Sequence, residues 1–402
     1  MPRRLAVSGP FLQRPIDAGG RRAAARVLAA VALGLCAPPA SASDWIQRFI
    51  DPADGMFDMS EWLLDHKGFL PVPIIITEPA VGYGAGVALV FFRESLRDTV
   101  ARGETGGHVT PPDVFGAGAF ATENGTKGAA GGGQWTFLDD RYRYRGGVGQ
   151  FSVNLDFYGV GARLPAAIDK VAYTLHGFGS FQQAMVRLGE SDTFAGVRWI
   201  YLDLATHLDV AAEEAGLTPR ELAKRSSALG ATLEHDSRDN IFTPNRGVLA
   251  AFEANFYDTR IGSSNDFQAY RAHVFDYLPL SSDWTLGLRA DARLARGDVP
   301  FYMLPFIELR GIPAARFQDT NVGVLEVELR YDVTERWSVV GFFGGGFAWG
   351  TRDSFSDAEK PVSGGLGFRY LIARRLGIYA GVDFARSTVD RAFYVQVGNG
   401  WR

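Results

Sequence analysis

Residues 321–333, NVGVLEVELRYDV, carry two patterns on one stretch. Leu325, Val327, Leu329, Tyr331 and Val333 fall on one side of a strand and Glu326, Glu328, Arg330 and Asp332 on the other, because successive strand side chains point to opposite faces. Four charges on one face burden the dry core of a sandwich but suit a wall with lipid outside and water inside. The split recurs in WTLGLRADARLARG (284–297), where Leu286, Leu288, Ala290, Ala292 and Leu294 oppose Arg289, Asp291 and Arg293. In GVLAAFEANFY (247–257), Val248, Ala250, Phe252, Ala254 and Phe256 make one face wholly apolar.

Sixteen segments alternate: 69–77, 82–94, 113–124, 127–139, 142–153, 172–189, 193–208, 225–238, 247–258, 268–279, 284–296, 320–333, 337–350, 360–373, 376–387 and 391–402. Residues 300–309 read as loop, since Pro300 and Pro305 each lack a ladder donor and the alternation fails there. An even number brings both ends of a single-chain barrel to one rim. The expected fold is therefore all-β: a single 16-stranded antiparallel transmembrane β-barrel over 69–402, preceded by a short N-terminal helix. With both ends periplasmic, the turns 139–141, 189–192, 279–283, 334–336 and 373–375 fall on the periplasmic side and the longer connections 159–171, 210–224, 297–319 and 351–360 outside. The connection 95–112 is long on the periplasmic side, which suggests only contact with a partner.

The 402 residues include 48 glycines and 13% aromatic residues. Mean hydropathy is near zero, and no run of about eighteen apolar residues offers a helical span. Residues 1–42 carry six arginines, an apolar run from Val27 to Leu35 and Ala40-Ser41-Ala42, the layout of a secretory signal peptide cut after Ala42. The one cysteine, Cys36, lies in this segment behind a leucine too large for a lipoprotein cut, so the mature chain would hold neither disulfides nor thiolate metal sites. Without the segment the formal charge moves from −4 to −9, and no basic surface for nucleic acid is expected.

Residues 43–68 form a short periplasmic N-terminal segment. Met59, Trp62 and Leu63 follow helical spacing behind Asp58 as N-cap, and the helix would lie at the periplasmic interface or plug the lumen. DPADG, 51–55, reads as a solvated turn, since the remaining ligands of a calcium loop are missing.

Three stretches resemble the outer-membrane insertase and translocator superfamily that includes BamA and TamA, also called the bacterial surface antigen family. HDSRDNIFTPNRG (235–247) resembles the family's D-x-R-D-N-x-F-x-P-x-R-G turn, with Asp236, Arg238, Asp239, Asn240, Phe242, Pro244, Arg246 and Gly247 all matching. ELRGIPAARF (308–317) is similar to the V-R-G-[FY] motif at the tip of its long sixth extracellular loop. Arg310 and Gly311 are kept there, with Leu309 and Ile312 as apolar substitutes. The stretch falls between the eleventh and twelfth segments, where the family demands it. Further on, E-L-R at 328–330 resembles an E-x-R strand, and GFFGGGFAW (341–349) an F-x-D-x-G strand with Phe342 and Gly346 matching and Gly344 in place of aspartate. FYVQVGNGW (393–401) resembles the family's terminal strand, although Trp401 is followed by Arg402.

The resemblance implies a sixth loop folded into the lumen, with Arg310 paired to Glu328 and stacked on Phe342, both inward by alternation. Gly311 would let the backbone approach the wall, and Gly344 would leave Arg310 more dependent on Glu328. It further implies a protein of the cell outer membrane, in contact with its lipid, that assists insertion into or translocation across that membrane of unfolded outer-membrane or secreted polypeptides. Residues 43–68 are too few for the periplasmic POTRA domains with which relatives receive clients, which favours the alternative below unless a separate periplasmic partner replaces them. The alternative is a passive pore or structural barrel without insertase activity. Glycine-rich first and last strands would loosen the seam between them.

An enzyme is not expected. His235 beside Asp236 and Asp239 is the best catalytic-looking cluster, but it falls at a periplasmic turn where the acids serve as turn acceptors. The six histidines show no metal-ligand spacing and no G-x-S-x-G or phosphate-cradling loop appears, so neither metal nor cofactor is expected.

Overall fold

In lipid a strand must satisfy its backbone on both sides, and here each strand finds its partners next to it in sequence. A computed structural model describes residues 46–66, 68–93, 97, 111–159, 170–208, 224–350 and 354–401. They form β1 (Gly68–Ile76), β2 (Gly84–Phe92), β3 (Val114–Thr122), β4 (Lys127–Phe137), β5 (Tyr142–Phe157), β6 (Val171–Arg187), β7 (Thr193–Leu208) and β8 (Lys224–Asp236). The second half adds β9 (Gly247–Tyr257), β10 (Phe267–Pro279), β11 (Trp284–Gly297), β12 (Asn321–Asp332), β13 (Trp337–Trp349), β14 (Val362–Ala373), β15 (Ile378–Ser387) and β16 (Arg391–Val397). Neighbours in sequence are antiparallel neighbours in one 16-stranded sheet ordered β1 to β16. Each of the sixteen expected segments holds a strand, and 300–309 holds none. The expected signal peptide, 1–42, lies outside the described residues, as do parts of the long connections 159–171, 210–224 and 351–360.

Alternation separates the two faces as the side chains require. Leu325, Val327, Leu366 and Phe384 are exposed, whereas Glu326, Arg330, Arg369 and Asp383 on the same strands are buried. Aromatic rings line the outer face at the rim that carries both chain ends, hereafter the terminal rim: Phe69, Phe91 and Phe115 follow one another at 5.1 and 4.6 Å between centroids. Such a girdle marks the interface level of a membrane barrel.

The sheet's two edges, β1 and β16, come side by side but share no ladder among the described residues. At the opposite rim, the loop rim, Tyr83 stacks on Phe393 across this seam with centroids 5.6 Å apart. The expected glycine-rich seam strands are not found: β1 holds only Gly68 and β16 no glycine. Pro71 and Pro73 lie in β1 instead, opposite Leu89 and Val87 of β2. A proline fits a ladder only with its nitrogen turned from its partner, so both nitrogens face the seam and offer it no donor.

The last strand is also shorter than expected. It ends at Val397, Gly398 turns the chain at φ +78°, and Trp401 lies buried between Phe275 and Tyr277 on the inner face of β10, 5.9 and 5.7 Å from their rings. Trp401 therefore fills the lumen rather than closing the wall.

Ahead of β1, the helix α1 (Ser60–Asp65) takes Met59, not Asp58, as its cap position. Asp58 still accepts from the Ser60 amide, 2.5 Å away. Leu64 packs with Ala373, Leu376 and Ile378, placing α1 on the terminal rim. The DPADG turn is exposed from Pro52 to Gly55, but its carboxylates and that of Asp58 are ion-paired: Asp51, Asp54 and Asp58 converge on Arg336, in the β12–β13 turn, at 2.5, 2.6 and 2.5 Å. Of the connection 95–112, Arg97 reaches Glu61 and Asp65 of α1 at 2.8 and 2.9 Å, while residues 98–110 lie outside the described residues.

Gly247 opens β9 at φ +96°, and a Cβ there would stand 2.2 Å from the Ser237 carbonyl oxygen. Gly247→Val should therefore destabilise the barrel by roughly 1–3 kcal/mol, read as a lower urea midpoint of the bilayer-embedded protein.

Candidate functional site

The connection from β11 to β12 leaves the loop rim, folds into the lumen and returns as a narrow hairpin. Pro300, Pro305 and Pro313 keep it from joining the sheet, while the Ile307 amide donates to the Phe317 carbonyl at 2.9 Å and Phe306 bridges Gln318. Its apolar residues Ile307, Leu309, Ile312 and Phe317 are buried with Val322, Val324 and Ala348, inner-face residues of β12 and β13. The glycine run of β13 makes room for them. A Cβ on Gly346 would stand 2.4 Å from the Ile307 side chain, and one on Gly344 would stand 2.9 Å from that of Leu309. Where the family resemblance leads one to expect aspartate, position 344 has become a seat for a leucine.

At the hairpin tip Arg310 and Gly311 touch five consecutive strands. The Arg310 guanidinium donates from Nε and Nη2 to Oε1 of Glu326 on β12, at 3.0 and 2.7 Å. Its Nη1 donates to Oδ2 of Asp383 on β15 at 2.8 Å and lies 2.8 Å from Oε2 of Glu328. The plane covers the Phe342 ring of β13, with Cζ 3.6 Å from the centroid. Ser363 of β14 donates to the Arg310 carbonyl, and the Gly311 amide donates to the Tyr394 hydroxyl of β16 at 2.8 Å. Gly311 sits at φ +86°, with Ala385 and Ser363 at 3.2 Å from where a Cβ would be. Here the missing side chain meets both a backbone and a space requirement.

Arg310 and Glu328 thus lie in contact and Phe342 lies beneath the guanidinium, while Glu326 and Asp383 share the charge. Neither of these two was singled out as a partner from the sequence. Their signal was present: Glu326 shares the inward face with Glu328, and Asp383 sits between outward Val382 and Phe384.

The ion pairs continue as a chain of alternating sign. Arg369 holds the other side of Asp383 at 2.5 Å, and Arg289 stands 3.3 Å from Glu326 and 3.4 Å from Asp291. Asp291 also takes Arg271 and Arg293, each at 2.9 Å. Arg293 returns to Glu308 on the hairpin, so the loop closes its own circuit.

The hairpin also spans the seam from inside. While Gly311 holds Tyr394 on β16, the Ala314 amide donates to Oε1 of Glu78, just beyond β1, at 3.0 Å. Burial pushes the Glu78 carboxyl above its usual range, against the amide bonds from Ala314 and Ala80. Between these contacts, Ile74, Ile76, Tyr394, Gln396 and Arg310 wall a cavity of about 430 Å³ directly behind the seam.

The second motif lies at the terminal rim, in the β8–β9 connection. Asp236 grips Arg238 with two bonds of 2.8 Å. Asp239 accepts from the Asn245 and Arg246 amides, and Asn240 from those of Phe242 and Thr243. The amide of Asn240 then crosses to the Leu376 carbonyl in the β14–β15 turn at 2.9 Å, and Phe242 packs on the Leu376 cluster. Pro244 faces a small cavity with Glu328 and Gly400. This turn therefore covers part of the terminal mouth, and the loop motif lies deeper in the lumen above it, where Glu328 meets both. The His235 ring meets the Thr193 hydroxyl at 3.0 Å, not Asp236 or Asp239.

Comparison with known proteins adds the following. The model of the Omp85 superfamily domain matches residues 210–382, and no curated protein matches the chain. BamA from Haemophilus ducreyi lacking POTRA domains 1–3 superposes with a TM-score of 0.57 at 11% identity, over 83% of this chain and 70% of that one. CdiB from Escherichia coli gives 0.55 at 10% identity over 81% and 61%, and CdiB from Acinetobacter baumannii 0.50 at 9% over 82% and 59%. The chain spans about three fifths of the two CdiB chains, and likeness at such identities is likeness of fold.

Arg310→Ala would leave Glu326 and Asp383 buried with one cation fewer. The expected loss is about 3–5 kcal/mol, seen as a lower temperature for conversion of the folded band in SDS gels. Arg310→Lys, which keeps the charge and loses the planar fork, should lose less.

Proposed function

We propose that this chain, which carries an Omp85 superfamily domain, is an outer-membrane barrel whose β1–β16 seam admits polypeptide segments for insertion into, or passage across, the membrane. The observation that carries the reading is the missing ladder between β1 and β16. Unpaired backbone groups facing lipid cost several kcal/mol each, so a barrel with no use for an open edge is expected to zip it. Thirteen pairs join β10 to β11; the seam has none among the described residues.

Three further features support it. β16 has seven residues, which reach only ~23 Å along the strand, so once tilted the wall there falls short of the ~25 Å apolar band. The bilayer is expected to thin beside it. The cavity behind the seam provides space for side chains of an entering segment. The prolines of β1 withhold donors from its terminal half, leaving Ile74 to Ile76 as the part of the edge that can pair in full.

A passive pore is the weaker reading. The lumen holds the Arg310 hairpin, the β8–β9 turn and Trp401, each with buried contacts. No catalytic role is assigned to any residue.

Purified protein reconstituted into liposomes should raise the yield of a folded client barrel above that of empty liposomes. If the yield never exceeds the empty control while a steady ion conductance appears, the seam reading fails and the pore reading replaces it.

A further inference from the structure

The segment ahead of β1 is acidic, and its carboxylates point at arginines drawn from both sides of the seam. It leaves β1 at Gly68, forms α1, and continues over the ends of the last strands to the β12–β13 turn. On the β1 side, Arg97 from the β2–β3 connection binds Glu61 and Asp65 at 2.8 and 2.9 Å, and Phe92 of β2 packs on the cluster of Leu64. On the β16 side, Arg375 of the β14–β15 turn binds Glu61 at 2.6 Å and its amide donates to the Ser60 hydroxyl at 3.0 Å. The Arg374 amide donates to Asp58 at 3.0 Å, and the Tyr370 hydroxyl donates to the Phe57 carbonyl at 2.7 Å. The far end is fixed by Arg336, only 3% exposed, with Asp51, Asp54 and Asp58 around it.

Such a path means that β1 cannot move away from β16 at the terminal rim without stretching or releasing this segment. No ladder competes for the task. Each of these carboxylates meets an arginine of the barrel, Arg97, Arg336, Arg374 or Arg375.

We infer that residues 46–66 are a strap across the β1–β16 seam, anchored on Arg336, and that its release is what lets the seam part from the terminal rim. The inference rests on the seam being the working edge, but it concerns what controls that edge and is read without a client. A periplasmic polypeptide that offers its own carboxylates to Arg336, Arg374 and Arg375 would open the strap by exchange.

The test uses the full chain in liposomes with spin labels on Phe69→Cys and Val397→Cys, in a Cys36→Ser background. These positions flank the seam at the terminal rim on the outer face and are 59% and 58% exposed. The strapped protein should give one narrow distance. Arg336→Glu should add a second, longer population, together with faster hydrogen exchange over residues 57–65, while Arg336→Lys should stay close to the parent. Faster exchange with an unchanged distance overturns the inference, because the segment would then be released without effect on the seam. Unchanged exchange and distance in Arg336→Glu overturn it as well, because Arg336 would not be the anchor. A parted seam with client insertion still at the level of empty liposomes supports the strap and counts against the seam as the inserting edge, so the two readings fail separately.

Discussion

Two rows of backbone amides and carbonyls, one on each edge of a sheet, must be dealt with wherever that sheet stands in lipid. Most strands here deal with them by pairing, and the antiparallel order makes that local in sequence. β1 and β16 do not pair. Their edge groups are reduced in number instead: Pro71 and Pro73 remove two donors, and β16 stops at Val397. What remains is held in register by side chains, with Tyr83 on Phe393, Glu78 on the Ala314 amide and Tyr394 on that of Gly311. Side-chain contacts of this kind can be exchanged one at a time, whereas a ladder opens only cooperatively.

The burial of Arg310 follows from the same constraint. A hairpin that must reach both seam strands from inside has to be fixed at its tip, and an apolar tip would specify no position within a wet lumen. A guanidinium with Glu326 and Glu328 on β12, Asp383 on β15 and the Phe342 ring beneath it has one place to sit. The desolvation of that charge is offset only because several acids and a ring converge on it. The alternating chain from Arg369 to Arg293 spreads the compensation over four strands, β11, β12, β14 and β15, which ties the seam side of the barrel to the wall that carries the loop.

Much of this could be read from the sequence because strand alternation is a local property. The charged face of 321–333 and the position of Arg310 between the eleventh and twelfth strands follow from counting by two. Glu328 and Phe342 are inward by the same count, and the structure brings both to Arg310. What alternation does not encode is distance across the lumen. Asp383 is inward by pattern, but nothing local says that a loop 73 residues earlier lies over it. The roles of Gly344 and Gly346 as seats for Leu309 and Ile307 are likewise set by a partner far along the chain. The same holds for the carboxylates of DPADG, whose partner Arg336 lies 282 residues on from Asp54, and for Trp401, whose alternation continues after the chain has turned inward at Gly398.

The seam is held by interactions of different kinds in the lumen and at the terminal rim. At mid-height in the lumen the hairpin is fixed by side chains almost wholly out of water: Arg310 is 7% exposed, Glu326 1% and Asp383 0%. At the terminal rim Arg374, Arg375 and Glu61 are 40%, 52% and 55% exposed, and exposed pairs contribute about 0–1 kcal/mol each. Arg336, by contrast, is buried there with Asp58, and it faces three acids of one short segment. Loss of that segment removes its three carboxylates together, whereas no single contact frees the hairpin. The seam is therefore asymmetric in strength along its length. On the proposed reading, parting would begin at the terminal rim, beside the prolines that already leave β1 without donors, and run toward Ile74 to Ile76, where the cavity behind the wall begins.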